Sequence, residues 1–311
     1  MSGLHIACVG ECMIELTQRD PASMALSYAG DTLNTALYLA RVAPPGRIAV
    51  DYVTALGDDP YSDAMLAAWR AERIGTAAVA RLPGKLPGLY LIHLDEEGER
   101  RFFYYRSAAA ARALFADPAT LPGLATLARC DLVYFSAITL SILDEDARKL
   151  FLAALKEARA KGGRVAFDSN YRPAGWPDAA TARRVVAEFL PQIDIALPTF
   201  EDEQRLFGDA DPTTTIARYA AHGVAETAVK LGIEGCLLAT AERRLAVPVP
   251  RRILPVDTTA AGDAFNAGYL AARLLGVGGE EAALAGHRLA GAVIGHRGAI
   301  IPRAATPALF S

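Results

Sequence analysis

Six short apolar runs, each bounded by turn residues, constrain this chain more than any other feature: 4–10, 49–56, 132–135, 164–168, 193–197 and 228–231. Runs this short and this uniformly apolar suit strands buried on both faces. Most are separated by helical patterns. The clearest runs from Asp144 to Lys161, where Leu150, Phe151, Ala154, Leu155 and Ala158 form one stripe between an Asp start and a Gly162-Gly163 stop. Strand alternating with helix predicts an α/β fold, a mostly parallel central sheet with helices on both faces in three layers.

One region breaks the alternation. Residues 86–106, LPGLYLIHLDEEGERRFFYYR, read as two strands around Asp95-Glu96-Glu97-Gly98 with no helix beside them. Residues 11–28 likewise read as two strands, ECMIELT and ALSYAG. Paired together, the two segments make a small sheet outside the main one, a candidate lid. With no internal repeat and no linker composition, residues 1–311 are expected to form one domain carrying lid strands from about 11–28 and 86–106.

Composition narrows the function by exclusion. Net charge is −3 and the 32 basic residues are scattered, so a nucleic-acid partner is not expected. Four cysteines without a CxxC pair suit a reducing, cytoplasmic setting and not a disulfide framework. Cys8, Cys12, His287 and His296 have no metal-ligand partner set in the sequence and read as structural. The opening MSGLHIACVGECMIEL reads as a first strand, not a leader, and no apolar run reaches the roughly 18 residues of a membrane span. A soluble protein is expected.

The stretch Asp257-Thr258-Thr259-Ala260-Ala261-Gly262-Asp263-Ala264-Phe265 precedes a helical pattern, NAGYLAARLL. Small residues at a helix start leave its first amides open to an anion. Asp263 stands where the helix begins. There the dipole is expected to keep its carboxylate ionised, able to accept the proton of an attacking hydroxyl beside a phosphate. An Asp at this place is also a preferred helix cap, and the residues alone leave both roles open. No GxxxxGK[ST] occurs, so a phosphate would be held by the anion hole, and no GxGxxG follows a strand.

DTTAAGDAF resembles the C-terminal signature of the PfkB (ribokinase-like) carbohydrate kinases, with Ala260 where Gly is usual. Ala29-Gly30-Asp31-Thr32-Leu33-Asn34-Thr35-Ala36 resembles that family's sugar-binding GGxxxNxA segment, with Ala29 replacing the first Gly. Val229-Lys230-Leu231-Gly232-Ile233-Glu234-Gly235 resembles its nucleotide-side VKxGxxG segment. The resemblance implies a ribokinase-like fold with a β-sheet lid and an ATP-dependent sugar kinase. It implies Asp263 as base and Ala260, Ala261 and Gly262 as anion hole. It further implies Gly30, Asp31 and Asn34 on the sugar, and Lys230, Gly232 and Gly235 with Ala260 and Gly262 on the nucleotide. Ala is disfavoured at φ > 0, so an altered anion hole is expected.

Within that family, GECMIEL, AGDTLNTALYLAR, LPGLYLI, ERRFFYYR, DSNYRPAGW and RGAIIPR together resemble kinases of 2-keto-3-deoxygluconate. A sugar acid carries a carboxylate that an enclosed site must pair, best with an Arg fork. Arg106 ends the proposed lid hairpin, and Arg172 follows the carboxyl end of the RVAFD strand, where α/β folds bind ligands. The resemblance gives Tyr90, Tyr104, Arg106 and Arg172 to the sugar acid and Asn170 to the nucleotide. Phe102 and Phe103 read instead as a strand packing its aromatics. The family's NxxE segment, linked to Mg²⁺, matches Thr199-Phe200-Glu201-Asp202 imperfectly, leaving Asp202 or Glu203 to act through water or as a solvated face. By the same analogy K⁺ would use carbonyls of Asp257 and Thr259 and of residues 294–299. A family kinase for fructose or another neutral sugar, and a non-catalytic sugar binder on the same fold, remain the alternatives. Exposed lid edges suggest a homo-oligomer.

Overall fold

The computed structural model describes residues 3–20, 22–94 and 100–310. In chain order the strands are β1 (Leu4–Val9), β2 (Met13–Asp20), β3 (Ser23–Ala29), β4 (Ile48–Leu56), β5 (Ile74–Gly75), β6 (Val79–Arg81) and β7 (Gly88–Leu94). They continue with β8 (Arg100–Tyr105), β9 (Leu132–Ser136), β10 (Arg164–Asp168), β11 (Ile195–Ala196), β12 (Glu226–Lys230), β13 (Cys236–Ala239) and β14 (Arg244–Val247). The first helices are α1 (Asp31–Val42), α2 (Pro60–Ala71), α3 (Pro122–Leu127), α4 (Ala137–Ile142) and α5 (Glu145–Ala160). After them come α6 (Ala179–Phe189), α7 (Phe200–Phe207), α8 (Pro212–Ala221), α9 (Ala261–Leu274) and α10 (Gly279–Ile294).

The main sheet has the order β14-β13-β12-β11-β10-β9-β1-β4-β5, with β6 also beside β4. It is parallel from β12 through β5, and β13 and β14 close one edge antiparallel. Every residue of β9 and β12 is buried, as strands covered on both sides require. Alternate residues supply two cores. Ile6, Cys8, Tyr52 and Tyr134 pack with α1, α2, α9 and α10. Ala7, Val9, Phe135 and Phe167 pack with helices α3 to α6.

Local chemistry sets the helix limits. Asp144 Oδ1 accepts from the Ala147 amide at 2.8 Å, capping α5, and Gly162 at φ 92 lets the chain turn away beyond its end. Leu150 does not join the buried stripe of α5 and is 44% exposed. Phe151 and Ala147, with Ala154, Leu155 and Ala158, already fill the arc facing the sheet, which leaves Leu150 on its shoulder.

The second sheet has the order β3-β2-β7-β8, with β2 and β7 paired parallel from segments far apart in sequence. Both strands of 86–106 are antiparallel neighbours, while their turn at Asp95-Glu96-Glu97-Gly98 lies outside the described residues. Phe102 packs its ring with those of Tyr90 and Tyr104, at 6.2 and 6.4 Å between centres, while remaining 42% exposed, and Phe103 is 48% exposed. A one-layer sheet has nothing behind it to bury its aromatics, so Phe102 faces the cavity and Phe103 alternates to the outside.

Candidate active site

A cavity of about 1360 Å³ opens at the carboxyl ends of the parallel strands, beneath the lid sheet. The start of α9 forms its floor. Ala260 precedes that helix at φ 61, ψ 14, a left-handed conformation that an L-residue with a β-carbon holds only at a cost. This position requires positive φ, and Ala adopts it. At this start the Ala261 amide donates to the Thr258 carbonyl at 3.2 Å and the Ala264 amide to that of Ala260 at 2.9 Å, and a helix start of small residues is a place that suits an anion.

Asp263 meets α1 across the cavity floor. Its Oδ2 accepts from Asn34 Nδ2 at 2.8 Å, and its backbone carbonyl accepts from Thr35 Oγ1 at 3.3 Å. Burial, followed by the nearby charge of Asp31, raises its carboxyl from 3.8 to about 8, while Asn34 and Lys230 oppose the rise. The dipole expectation is thereby corrected. The helix start favours a carboxylate, but desolvation and a second acid outweigh it.

A buried polar cluster underlies the floor. Lys230 Nζ donates to Asp168 Oδ2 at 2.8 Å and to Asn266 Oδ1 at 3.2 Å. Asn266 Nδ2 donates to the same Asp168 oxygen at 2.7 Å and to the Tyr134 hydroxyl at 3.0 Å. A β-carbon on Gly262 would lie 3.3 Å from Lys230 Nζ, so the ammonium sits directly under the helix start. Asp31 Oδ2 accepts from Ser136 Oγ at 2.5 Å and Asn170 Nδ2 at 2.8 Å. This draws Asn170, given to the nucleotide by resemblance, onto the same acid as the sugar motif.

The lid supplies the opposite wall. Tyr90, Phe102 and Tyr104 line the cavity, with the Tyr90 and Tyr104 rings 5.7 Å apart. The Tyr90 hydroxyl is bonded to Glu15, and Arg106 is paired with Glu11. Burial pushes the Glu11 carboxyl upward against the pull of Arg106. Arg172 Nη1 reaches Asp202 Oδ1 at 3.3 Å. Burial also raises the Asp202 carboxyl, and Arg172 lowers it. Burial raises the Tyr104 hydroxyl, and the positive charges of Arg106 and Arg172 lower it.

Of the residues singled out from sequence, Gly30, Asp31, Asn34, Tyr90, Tyr104, Arg106, Asn170, Arg172, Asp202, Lys230, Thr259 and 260–263 share this one cavity. Gly232, Gly235 and Asp257 do not line it. Gly235, at φ 98, would press a β-carbon to 2.1 Å from the Val247 carbonyl, so the turn between β12 and β13 accounts for it. Asp257 ties two loops, accepting from the amides of Thr259 at 2.9 Å and Gly298 at 2.7 Å. Glu203 is wholly buried and paired with Arg218 instead of forming a solvated face. Among the described residues no cluster of three or more His, Cys, Asp or Glu is arranged to hold a metal ion. Sequence reasoning missed Glu11, Asp168 and Asn266. Asp168 ends a strand and Asn266 lies one turn after Asp263, which are the signals that place them.

Residues 4–306 match the profile of the pfkB family carbohydrate kinases. The chain is 45% identical to 2-dehydro-3-deoxygluconokinase of Escherichia coli K12 over 97% of its own length and 99% of that protein's. It is 44% identical to 2-dehydro-3-deoxygluconokinase of Dickeya dadantii over 99% and 100% of the two chains. Its fold matches the crystal structure of 2-dehydro-3-deoxygluconokinase from Thermotoga maritima with a TM-score of 0.83 at 21% identity, covering 96% of each chain. The chain therefore belongs to the pfkB family of carbohydrate kinases.

Proposed function

We infer that the protein transfers the γ-phosphoryl group of ATP to the C6 hydroxyl of 2-dehydro-3-deoxygluconate (2-keto-3-deoxygluconate), giving the 6-phosphate and ADP. The observation that carries this reading is the meeting, in one cavity, of Asp263 at a helix start with two guanidiniums, Arg106 from the lid and Arg172 from the loop after β10. It stands in a chain 45% identical from end to end to a kinase of that name. A base beside an anion site is suited to phosphoryl transfer, and the Arg forks are suited to the carboxylate that neutral sugars lack.

In this account Asp263 takes the proton of the C6 hydroxyl as its oxygen bonds to the γ-phosphorus. The bond from phosphorus to the β–γ bridging oxygen breaks, and ADP leaves. The 260–263 amides hold the charge that develops on the γ-phosphoryl oxygens. Asn34 orients the carboxylate, and Lys230 and Asp168 support the helix start from below. Gly30, Asp31 and Asn34 face the sugar, with Tyr90 and Tyr104 against it. Arg106 and Arg172 pair the carboxylate.

Mg²⁺, bound through the phosphates and water, would offset phosphate charge. Asp202 fits that task as a largely buried carboxylate on the cavity wall, with Arg172 as its present partner. A monovalent cation at the carbonyls of Asp257 and Thr259 fits a loop that the Asp257 carboxylate already fixes. Among the described residues no helix is long and apolar enough to cross a membrane, which suits a cytoplasmic enzyme. The outer lid face carries a cross-strand apolar row, Leu26, Leu16, Leu91 and Phe103, with Leu26 46% and Phe103 48% exposed. A second copy covering it would make a homo-oligomer through the lid.

The test is product analysis. With ATP, Mg²⁺ and 2-dehydro-3-deoxygluconate, phosphorus NMR should report a phosphate monoester on C6. Its absence, or an ester elsewhere on the sugar acid, would overturn the assignment.

A further inference from the structure

Glu11 follows β1 and is 2% exposed beneath the lid, and Arg106 is the first residue past β8. Arg106 Nη2 donates to Glu11 Oε2. Two buried atoms of this pair, Glu11 Oε1 and Arg106 Nε, have no hydrogen-bond partner among the described residues. They complement one another, because Nε–H and Nη2–H point the same way and match the two oxygens of a single carboxylate. A bidentate pair through Nε and Nη2 would satisfy both atoms and leave the Nη1–Nη2 edge of the guanidinium for a second carboxylate.

The backbone around the pair is shaped for it. A β-carbon on Gly88 would lie 2.5 Å from Glu11 Oε1 and 3.2 Å from Arg106 Cβ, and one on Gly30 would lie 2.1 Å from the Glu11 carbonyl oxygen. Two glycines thus make room for Glu11, one in the lid strand β7 and one in the sugar-side segment before α1. Arg106 is hydrogen-bonded to Glu11, and a buried acid is costly to keep at the wall of a cavity unless it acts on such a neighbour.

We propose that Glu11 is a positioning residue that locks Arg106 through its Nε–Nη2 edge, so that the remaining edge is presented to the substrate carboxylate. The proposal rests on the reading of Arg106 as the partner of that carboxylate. In this reading Glu11, though at the cavity wall, acts through Arg106. It converts a flexible side chain into a fixed fork, and a fixed fork discriminates a planar carboxylate from a hydroxyl.

Steady-state kinetics on the full chain test it. Glu11→Gln keeps the shape but offers one accepting oxygen and turns an amide N–H toward a donor. KM for the sugar acid should rise about tenfold, with kcat and KM for ATP within about twofold. Arg106→Met should raise the same KM further, and adding Glu11→Gln to it should change nothing more, since there is no fork left to position. Arg106→Lys keeps a cation against Glu11 but has no planar fork, and it too should raise KM for the sugar acid. That variant decides the matter even where Glu11→Gln folds poorly. Equal KM in Arg106→Lys and wild type, an additive double variant, or a Glu11→Gln effect confined to kcat would overturn the lock. An unchanged KM in Arg106→Met would instead remove the carboxylate reading on which the lock depends.

Discussion

Asn34 Nδ2 donates a 2.8 Å hydrogen bond to Asp263 Oδ2, joining the start of α1 to the start of α9 across 229 residues of sequence. The bond places a sugar-side residue and the base on one another, and it opposes the burial that raises Asp263 to about 8. Burial and the charge of Asp31 both favour the protonated carboxyl in the substrate-free protein.

Activity should therefore climb with pH. The proposed base works only when deprotonated, so kcat/KM for the sugar acid should rise through a midpoint near 8. Asn34→Ala removes a bond that lowers the value and should move the midpoint upward. A flat profile from pH 6 to 9, or a downward move in Asn34→Ala, would contradict the role.

Asp263→Asn should fold and lose turnover by about 10³-fold or more, the scale of a lost general base. It should also alter the pH dependence of stability. A carboxyl raised from 3.8 to about 8 gives stability that is full below pH 4 and lost as pH climbs through 8. Thermal melts of the substrate-free proteins should show the wild type falling relative to Asp263→Asn across that window. Parallel melting curves would show that the carboxyl is not raised.

Ala260 at φ 61 is a strained Ala in a place that suits Gly. Relief of the left-handed strain, less the larger entropy of an unfolded Gly, should make Ala260→Gly more stable by about 0.5 kcal/mol with activity kept. Ala260→Val should lose about 2 kcal/mol and displace the anion-holding amides, because a β-branched residue resists φ > 0. Chemical denaturation measures both, and a destabilised Ala260→Gly would contradict the reading.

Lys230→Met leaves Asp168 buried beside Asn266 without its cation and should cost about 3 kcal/mol. Lys230→Met with Asp168→Asn should recover part of that loss. Unfolding midpoints decide it. Unchanged stability with a raised KM for ATP alone would make Lys230 a direct phosphate contact instead.

Much of this arrangement is legible in the sequence because it is local. The apolar runs mark the parallel strands, the small residues before NAGYLAARLL mark the helix start, and FFYYR marks a strand outside the alternation. Pairings between distant segments leave no such trace. Glu11 and Arg106 meet only because β2 and β7 pair parallel, which no spacing announces. Lys230 belongs to a nucleotide-like string, yet its ammonium turns beneath the floor because Asp168 and Asn266 are both within reach. The raised carboxyl of Asp263 leaves no local trace for the same reason, since its burial and the approach of Asp31 arise only in the folded chain.

The central claim is that a sugar acid, and not a neutral sugar, receives the phosphoryl group. A coupled ADP-release assay with 2-dehydro-3-deoxygluconate and fructose, at matched ATP and Mg²⁺, tests it most directly. kcat/KM should favour the acid by about 10³-fold or more, since a neutral sugar leaves the Arg forks unpaired. Equal values, or a preference for fructose, would contradict it.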